Sequence, residues 1–168
     1  MPETLQITET LIHDCIVNAV QGVFRTMACH EVTFVEKISQ PLQPVADGPQ
    51  EVMGSVGFVG VANGLIYLCM AESFARIATG HILGMSPSEV EMSGPDVVND
   101  AIGEVTNMTV GSFKNTLCDL GAPCKLTLPT IVRGNQLSVA SIKSATRHIF
   151  LFDCKGHRIV TDIQIKID

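Results

Sequence analysis

Four kinds of signal are missing from this 168-residue chain. Each absence closes a class of function. Basic character is the first: lysine and arginine total 11 against 17 aspartates and glutamates, for a formal net charge of −6. With no basic patch, neither nucleic acid nor an anionic membrane surface is an expected partner. Metal-ligand spacing is the second. None of Cys15, Cys29, Cys69, Cys118, Cys124 and Cys154 stands in a C-x-x-C pair. His13, His30, His81, His148 and His157 are scattered, and the adjacent Cys29-His30 suits a shared metal poorly. No metal site is expected, and the thiols read as reduced, small hydrophobes. Third, the opening Met1-Pro2-Glu3-Thr4 has no basic stretch leading into an apolar one. That lacks the form of a secretory signal and makes the cytoplasm the expected location. Fourth, no G-x-x-x-x-G-K-[ST], G-x-S-x-G or H-E-x-x-H string occurs, so the common nucleotide, serine-hydrolase and zinc-protease signatures are absent.

What is present is an ordinary globular mixture, 46% apolar and 17% charged. Length and composition predict one domain over residues 1–168. A chain of this size buries roughly 68–70% of its unfolded surface without help from disulfide or metal. Residues 52–71 carry no charge and match the length of a membrane span. Gly54, Gly57, Gly60, Gly64 and Asn63 interrupt them. They read instead as strands over 52–60 and 65–70 around an Asn63-Gly64 turn, with no membrane insertion.

Leu11, Ile12, Cys15, Ile16, Ala19, Val20, Val23, Phe24 and Met27 recur at helical spacing and predict a helix over about 8–27. Residues 40–50 are rich in proline and read as a loop. A second helix is expected over 72–83, ended by Gly84. Ser86-Pro87-Ser88-Glu89 is a capping box opening a short helix. Ser93-Gly94-Pro95-Asp96 repeats that grammar, with Ser93 as cap, and starts a long helix to Leu120. Gly121 and Pro123 stop it. The period then changes to two. Strands are expected over 125–128, 136–142, 147–152 and 158–167, with Gly134-Asn135 and Lys155-Gly156 as turns. Helix, strands, helices, strands is an α+β order.

On the long helix, Val98, Ala101, Ile102, Val105, Met108 and Thr109 form the expected core stripe. Asp100, Glu104 and Asn107 stand at i, i+4 and i+7, within about 60° of one another and away from that stripe. Gly111 continues the row, with Lys114 beside it. By spacing alone, two acids and an asparagine on a helix usually mark a solvent-facing surface. A glycine there costs up to about 1 kcal/mol relative to alanine, which makes sense if something approaches the backbone closely. Cys118, near this face, has no histidine close in sequence to activate it.

The stretch from Asp100 through Glu104, Asn107, Met108 and Thr109 to Gly111 fits a D/S-x-x-x-E-x-x-N motif. A Gly121-containing break follows, then Leu128-Pro129-Thr130-Ile131-Val132 and Gly134. On these residues the chain resembles the CheX-like members of the CheC/CheX/FliY family of response-regulator phosphatases. The resemblance implies an antiparallel sheet packed against long helices, one of which carries the motif. It implies hydrolysis of the aspartyl phosphate of a receiver domain that supplies its own Mg²⁺, with no cofactor held by this chain. Asn107 would orient the attacking water and Glu104 would anchor the receiver's lysine. Asp100 and Gly111 would meet the partner. A homodimer joined through the alternating C-terminal strands is also implied. The alternative reading is a receiver-binding adaptor without turnover.

Overall fold

The computed structural model describes residues 6–43 and 47–167. Met1 to Thr4, and Pro44 to Ala46 of the expected 40–50 loop, lie outside the described residues. The elements in chain order are α1 (Glu9–Met27), β1 (Thr33–Ile38), β2 (Glu51–Gly60), β3 (Ala62–Ala71), α2 (Glu72–Leu83), α3 (Pro87–Ser93), α4 (Pro95–Asp119), β4 (Cys124–Leu126), β5 (Thr130–Gly134), β6 (Thr146–Cys154) and β7 (His157–Ile167). Seven strands form one antiparallel sheet in the order β1-β6-β7-β3-β2-β4, with β5 also on the outer side of β2. The architecture is α+β, as the element order implies.

Strand register decides what the helices meet. Val52, Met70, Ile159 and Phe152 align across four strands. So do Gly54, Leu68, Thr161 and Phe150, and then Val56, Ile66 and Ile163. These rows join Ile16, Val20 and Phe24 of α1 and Ile102, Val105, Phe113 and Leu117 of α4 in one core. A β-carbon on Gly54 would overlap the Thr106 hydroxyl. Glycine there lets α4 settle onto β2. Thr106 is fully buried, its hydroxyl donating to the Ile102 carbonyl at 2.7 Å.

Local chemistry sets most of the boundaries. Thr8 caps α1, its side chain accepting from the Leu11 amide at 3.1 Å. Gly84 ends α2 in the left-handed region at φ 66°, and Ser86 with Glu89 completes the capping box of α3. Five expectations need correction. Asn63-Gly64 is not the turn: β2 and β3 close at Gly60-Val61, and both residues lie in β3. A side chain at Gly64 would strike the Gln164 carbonyl of β7, so this glycine serves strand approach. Asn63 accepts from the Gly60 amide at 3.0 Å and braces the turn from beside it. Ser93 does not cap α4; it ends α3, donating to the Glu89 carbonyl at 2.8 Å, and Gly94 at φ 83° starts α4.

Residues 136–142 form no strand, and Gly134-Asn135 is no hairpin turn. This segment is a strap over the helix-free face of the sheet. The Gln164 side chain accepts from the Ile142 amide and donates to the Ala140 carbonyl, and Arg147 donates to the Val139 carbonyl. That explains why the polar Asp162 and Gln164 of β7 are both buried. Finally, β6 and β7 are interior strands, so the C-terminal strands offer no pairing edge. The edges are β1 on one side and β4 with β5 on the other.

Candidate functional site

Helix α4 is fixed at both ends before its outward face is considered. Arg133, at the end of β5, donates to Asn99 and to the Pro95 carbonyl in the first two turns of α4. The same guanidinium meets Glu72 of α2 at 3.0 Å, and Arg76 meets Glu72 at 3.1 Å. One arginine thus ties the sheet edge to two helix starts. Sequence reasoning missed it, since a lone arginine after a short apolar run carries no signal. At the other end, the Ala122 amide donates to the Leu117 carbonyl at 2.9 Å, and Gly121 turns the chain at φ 93°.

Between these ends, Asp100 and Glu104 are exposed and Asn107 is half-buried. The helix carries all three on one outward face, as the spacing requires. Among the described residues, no group hydrogen-bonds or ion-pairs with these three side chains. Gly111 continues the row, half-exposed. A β-carbon there would only touch Leu126 at 3.8 Å, an ordinary contact, so internal packing does not demand glycine. The core stripe differs from expectation at two residues. Met108 is 46% exposed beside Glu104, while Thr106, left out of the stripe, is fully buried. The Gly54 notch draws Thr106 inward and rotates Met108 out.

The β4–β5 arm runs along the same face. Ile131 stands 3.9 Å from where a Gly103 side chain would begin, and Leu126 stands at Gly111. Cys118 neighbours Cys124 across the turn after α4. Burial pushes the Cys124 thiol up, and the Cys118 thiol beside it adds to the effect. That is the reverse of what a nucleophile requires. Among the described residues, no group of three or more His, Cys, Asp or Glu is placed to hold a metal ion. No helix among them is long and apolar enough to cross a membrane.

Two cavities, of about 300 and 350 Å³, lie elsewhere. One sits between the strap and the helix-free face of the sheet, against Tyr67 and Arg147, and the other lies against α2 and α3. The Asp100–Glu104–Asn107 row lines neither. It is an outward surface whose three side chains have no partner among the described residues. Small substrates are held in concavities, so a chemical role for this row needs a partner that brings the concavity.

Comparison with known proteins places the same row in context. The family model described as chemotaxis phosphatase CheX matches residues 52–153, which include the whole of α4. A CheY-P phosphatase CheX from Thermotoga maritima is 30% identical over 94 residues, 55% of this chain and 58% of that relative's length. The crystal structure of chemotaxis protein CheX from Vibrio vulnificus superposes with a TM-score of 0.78 at 22% identity, over 97% of this chain and 100% of that one. A CheX–CheY–BeF₃–Mg²⁺ complex from Borrelia burgdorferi gives 0.74 at 21% identity, over 92% and 97%. These structures share the fold, and the family model covers more than half of the sequence, motif helix included: the chain belongs to the CheX family of chemotaxis phosphatases.

Proposed function

We propose that this chain binds a phosphorylated response-regulator receiver domain and hydrolyses its aspartyl phosphate. The observation that carries the reading is the Glu104–Asn107 face of α4, unpartnered among the described residues, outside both cavities and inside the matched region. Receivers supply what this face lacks: a phosphoryl group in a concave site and a Mg²⁺ that neutralises it. The relative solved with CheY, BeF₃ and Mg²⁺ supports that division of labour.

Phosphoryl transfer passes through a loose transition state, so positioning and electrostatics are the main catalytic needs. In this reading Asn107 orients the water. Its carboxamide oxygen accepts a hydrogen bond from the water, and its NH₂ donates to an oxygen on the reacting group. That aligns the water with phosphorus without a strong base. Such alignment is worth a few kcal/mol of the roughly 7–11 that orientation can supply. Glu104 receives the receiver's lysine in a charge-assisted contact. Asp100, one turn earlier, adds negative charge for the partner, and Gly111 leaves room for its loops. The assembly is a homodimer working in the cytoplasm, with a complete motif on each chain.

The test is phosphate release from an acetyl-phosphate-loaded receiver, with binding measured in parallel on a receiver carrying beryllium fluoride. Asn107→Ala is expected to abolish turnover and keep binding, because an interaction made only in the transition state lowers kcat without raising KM. Glu104→Gln is expected to weaken both binding and rate, and Asp100→Asn to do less than either. Near-normal turnover in Asn107→Ala would refute water positioning. Binding by the wild-type chain without turnover would establish the adaptor instead.

A further inference from the structure

The Leu128-Pro129 pair has no part in the water-positioning scheme, yet its backbone is specially made. On one side of it, Leu126 pairs with Phe58. On the other, Thr130 pairs with Ser55. Three residues of the arm (127–129) therefore stand opposite two of β2 (56 and 57), which is a β-bulge. Thr127 is pinned at its base. Its amide donates to the Gly57 carbonyl at 2.8 Å, and its hydroxyl accepts from the Gly57 amide at 2.8 Å. Pro129 has no amide proton and cannot rejoin the ladder itself. The extra residue is thrown outward, and Leu128 is left 87% exposed.

The bulge is placed beside the site. Ile131 lies against Gly103 and Leu126 against Gly111, so the arm runs antiparallel to α4. Leu128 falls between Leu126 and Ile131 in the arm, as Asn107 falls between Gly103 and Gly111 in α4. Met108, 46% exposed, stands one turn after Glu104 on α4. Two large apolar side chains thus border a row of two carboxylates and a carboxamide. A bulge next to a reactive position is a device for re-aiming a side chain, and an outward-facing leucine fixed at both ends of its loop is preorganised for contact.

We propose that Leu128, held out by the bulge and assisted by Met108, is the apolar docking anchor for the receiver domain. This deepens the phosphatase reading and rests on it. The occupant is the receiver because the anchor is continuous with the row that must meet the phosphoryl group. A partner seated on Asn107 covers Leu128 as well. The anchor supplies sequence-tolerant affinity, while Glu104 and Asn107 supply charge and alignment.

The experiment measures steady-state phosphate release from a CheY-like receiver of the same cell. In parallel it measures calorimetric binding of that receiver loaded with beryllium fluoride and Mg²⁺. Leu128→Ala is expected to raise KM and weaken binding roughly tenfold, with kcat unchanged, as for truncation of an interface anchor. Leu128→Asp is expected to do more, and Leu128→Met to restore most of the affinity. The residue is exposed, so all three variants should melt like the wild type. Wild-type turnover with unchanged KM and affinity in Leu128→Ala overturns the anchor and leaves the phosphatase reading intact. A wild-type chain that neither binds nor dephosphorylates the receiver overturns both. A Leu128→Ala variant whose defect is loss of self-association, by light scattering, assigns the leucine to a second copy of this chain and also overturns the proposal.

Discussion

His148 shows how one side chain couples three elements. It is buried on β6, where its Nδ1 accepts from the Lys37 ammonium of β1 at 3.1 Å. Its Nε2 lies 3.3 Å from the Thr146 hydroxyl. Lys37 also reaches Glu9 of α1 at 3.6 Å. Burial, and then the positive charge of Lys37, lower the imidazole's pKa below its ordinary value near 6.5, and Glu9 opposes them weakly. The neutral ring is therefore the folded form. A depressed folded pKa means that its contribution is fully present above the unfolded value. It is lost as pH falls below about 6.5 and through the folded pKa, because the unfolded chain takes up the proton first. Melting temperature should drop between pH 7.5 and pH 5. His148→Gln keeps an acceptor for Lys37 without titrating, so it should flatten part of that drop. An unchanged pH profile in the variant would show that His148 is not the group involved.

Elements that expose one face, or bury one stripe, announce themselves in the residue pattern. Those held by long-range contacts do not. α1, α2, the α3 capping box, β6 and β7 follow from period and caps, each within a residue or two. β1 goes unread because its burial does not alternate, and its pairing with β6 is irregular between Phe34 and Glu36. β5 is equally silent, a five-residue edge strand after the bulge. The 136–142 segment alternates like a strand, yet its partners are side chains of β6 and β7. The motif row was legible from helical angle, while Leu128 was not, since nothing local says which residue of a strand will be bulged. The strap supplies an element-scale prediction. Arg147 meets Asp162 at 2.6 Å and also holds Ser141 and Val139, with Asp162 nearly fully buried. Removing only the arginine strands a buried carboxylate, which typically costs about 3–5 kcal/mol. Arg147→Met should lose most of that in urea unfolding, and Arg147→Met with Asp162→Leu should recover much of it. If the double variant is as unstable as the single, the cost lies in the strap and not in the unpaired charge.

At the scale of the whole molecule, the sheet leaves two kinds of edge. β1 is a six-residue strand with Val35, Glu36 and Lys37 exposed in succession. Charge on an edge strand resists further pairing. The β4–β5 side is broken by the bulge into pieces of three and five residues, of which β5 carries the half-exposed Val132. A homodimer that extends the sheet would therefore use β5, the stretch without acidic residues and next to the motif helix. Light scattering should give a dimer mass at micromolar concentration, and Val132→Lys should lower it toward the monomer. A monomer mass for the wild type across that range would remove the dimer from the proposal. Turnover could survive, since each chain carries its own Asp100, Glu104 and Asn107.

The sheet order has a further consequence, for the order of events during synthesis. Among the described residues β1 finds its strand partner in β6: Thr33 pairs with Asp153 and Ile38 with Ile149. More than a hundred residues separate each pair. β1 leaves the ribosome early and must wait for its strand partner until the last hairpin exists, while the apolar stripe of α1 can already meet α4. At roughly 5–20 residues per second that interval lasts several seconds or longer, and sheets closed by such distant pairings are slow to form. The β2–β3 hairpin and α4 can meet during this wait, because they are neighbours in sequence. Helix α4 would then be seated on that hairpin first, and β1 would join the sheet last.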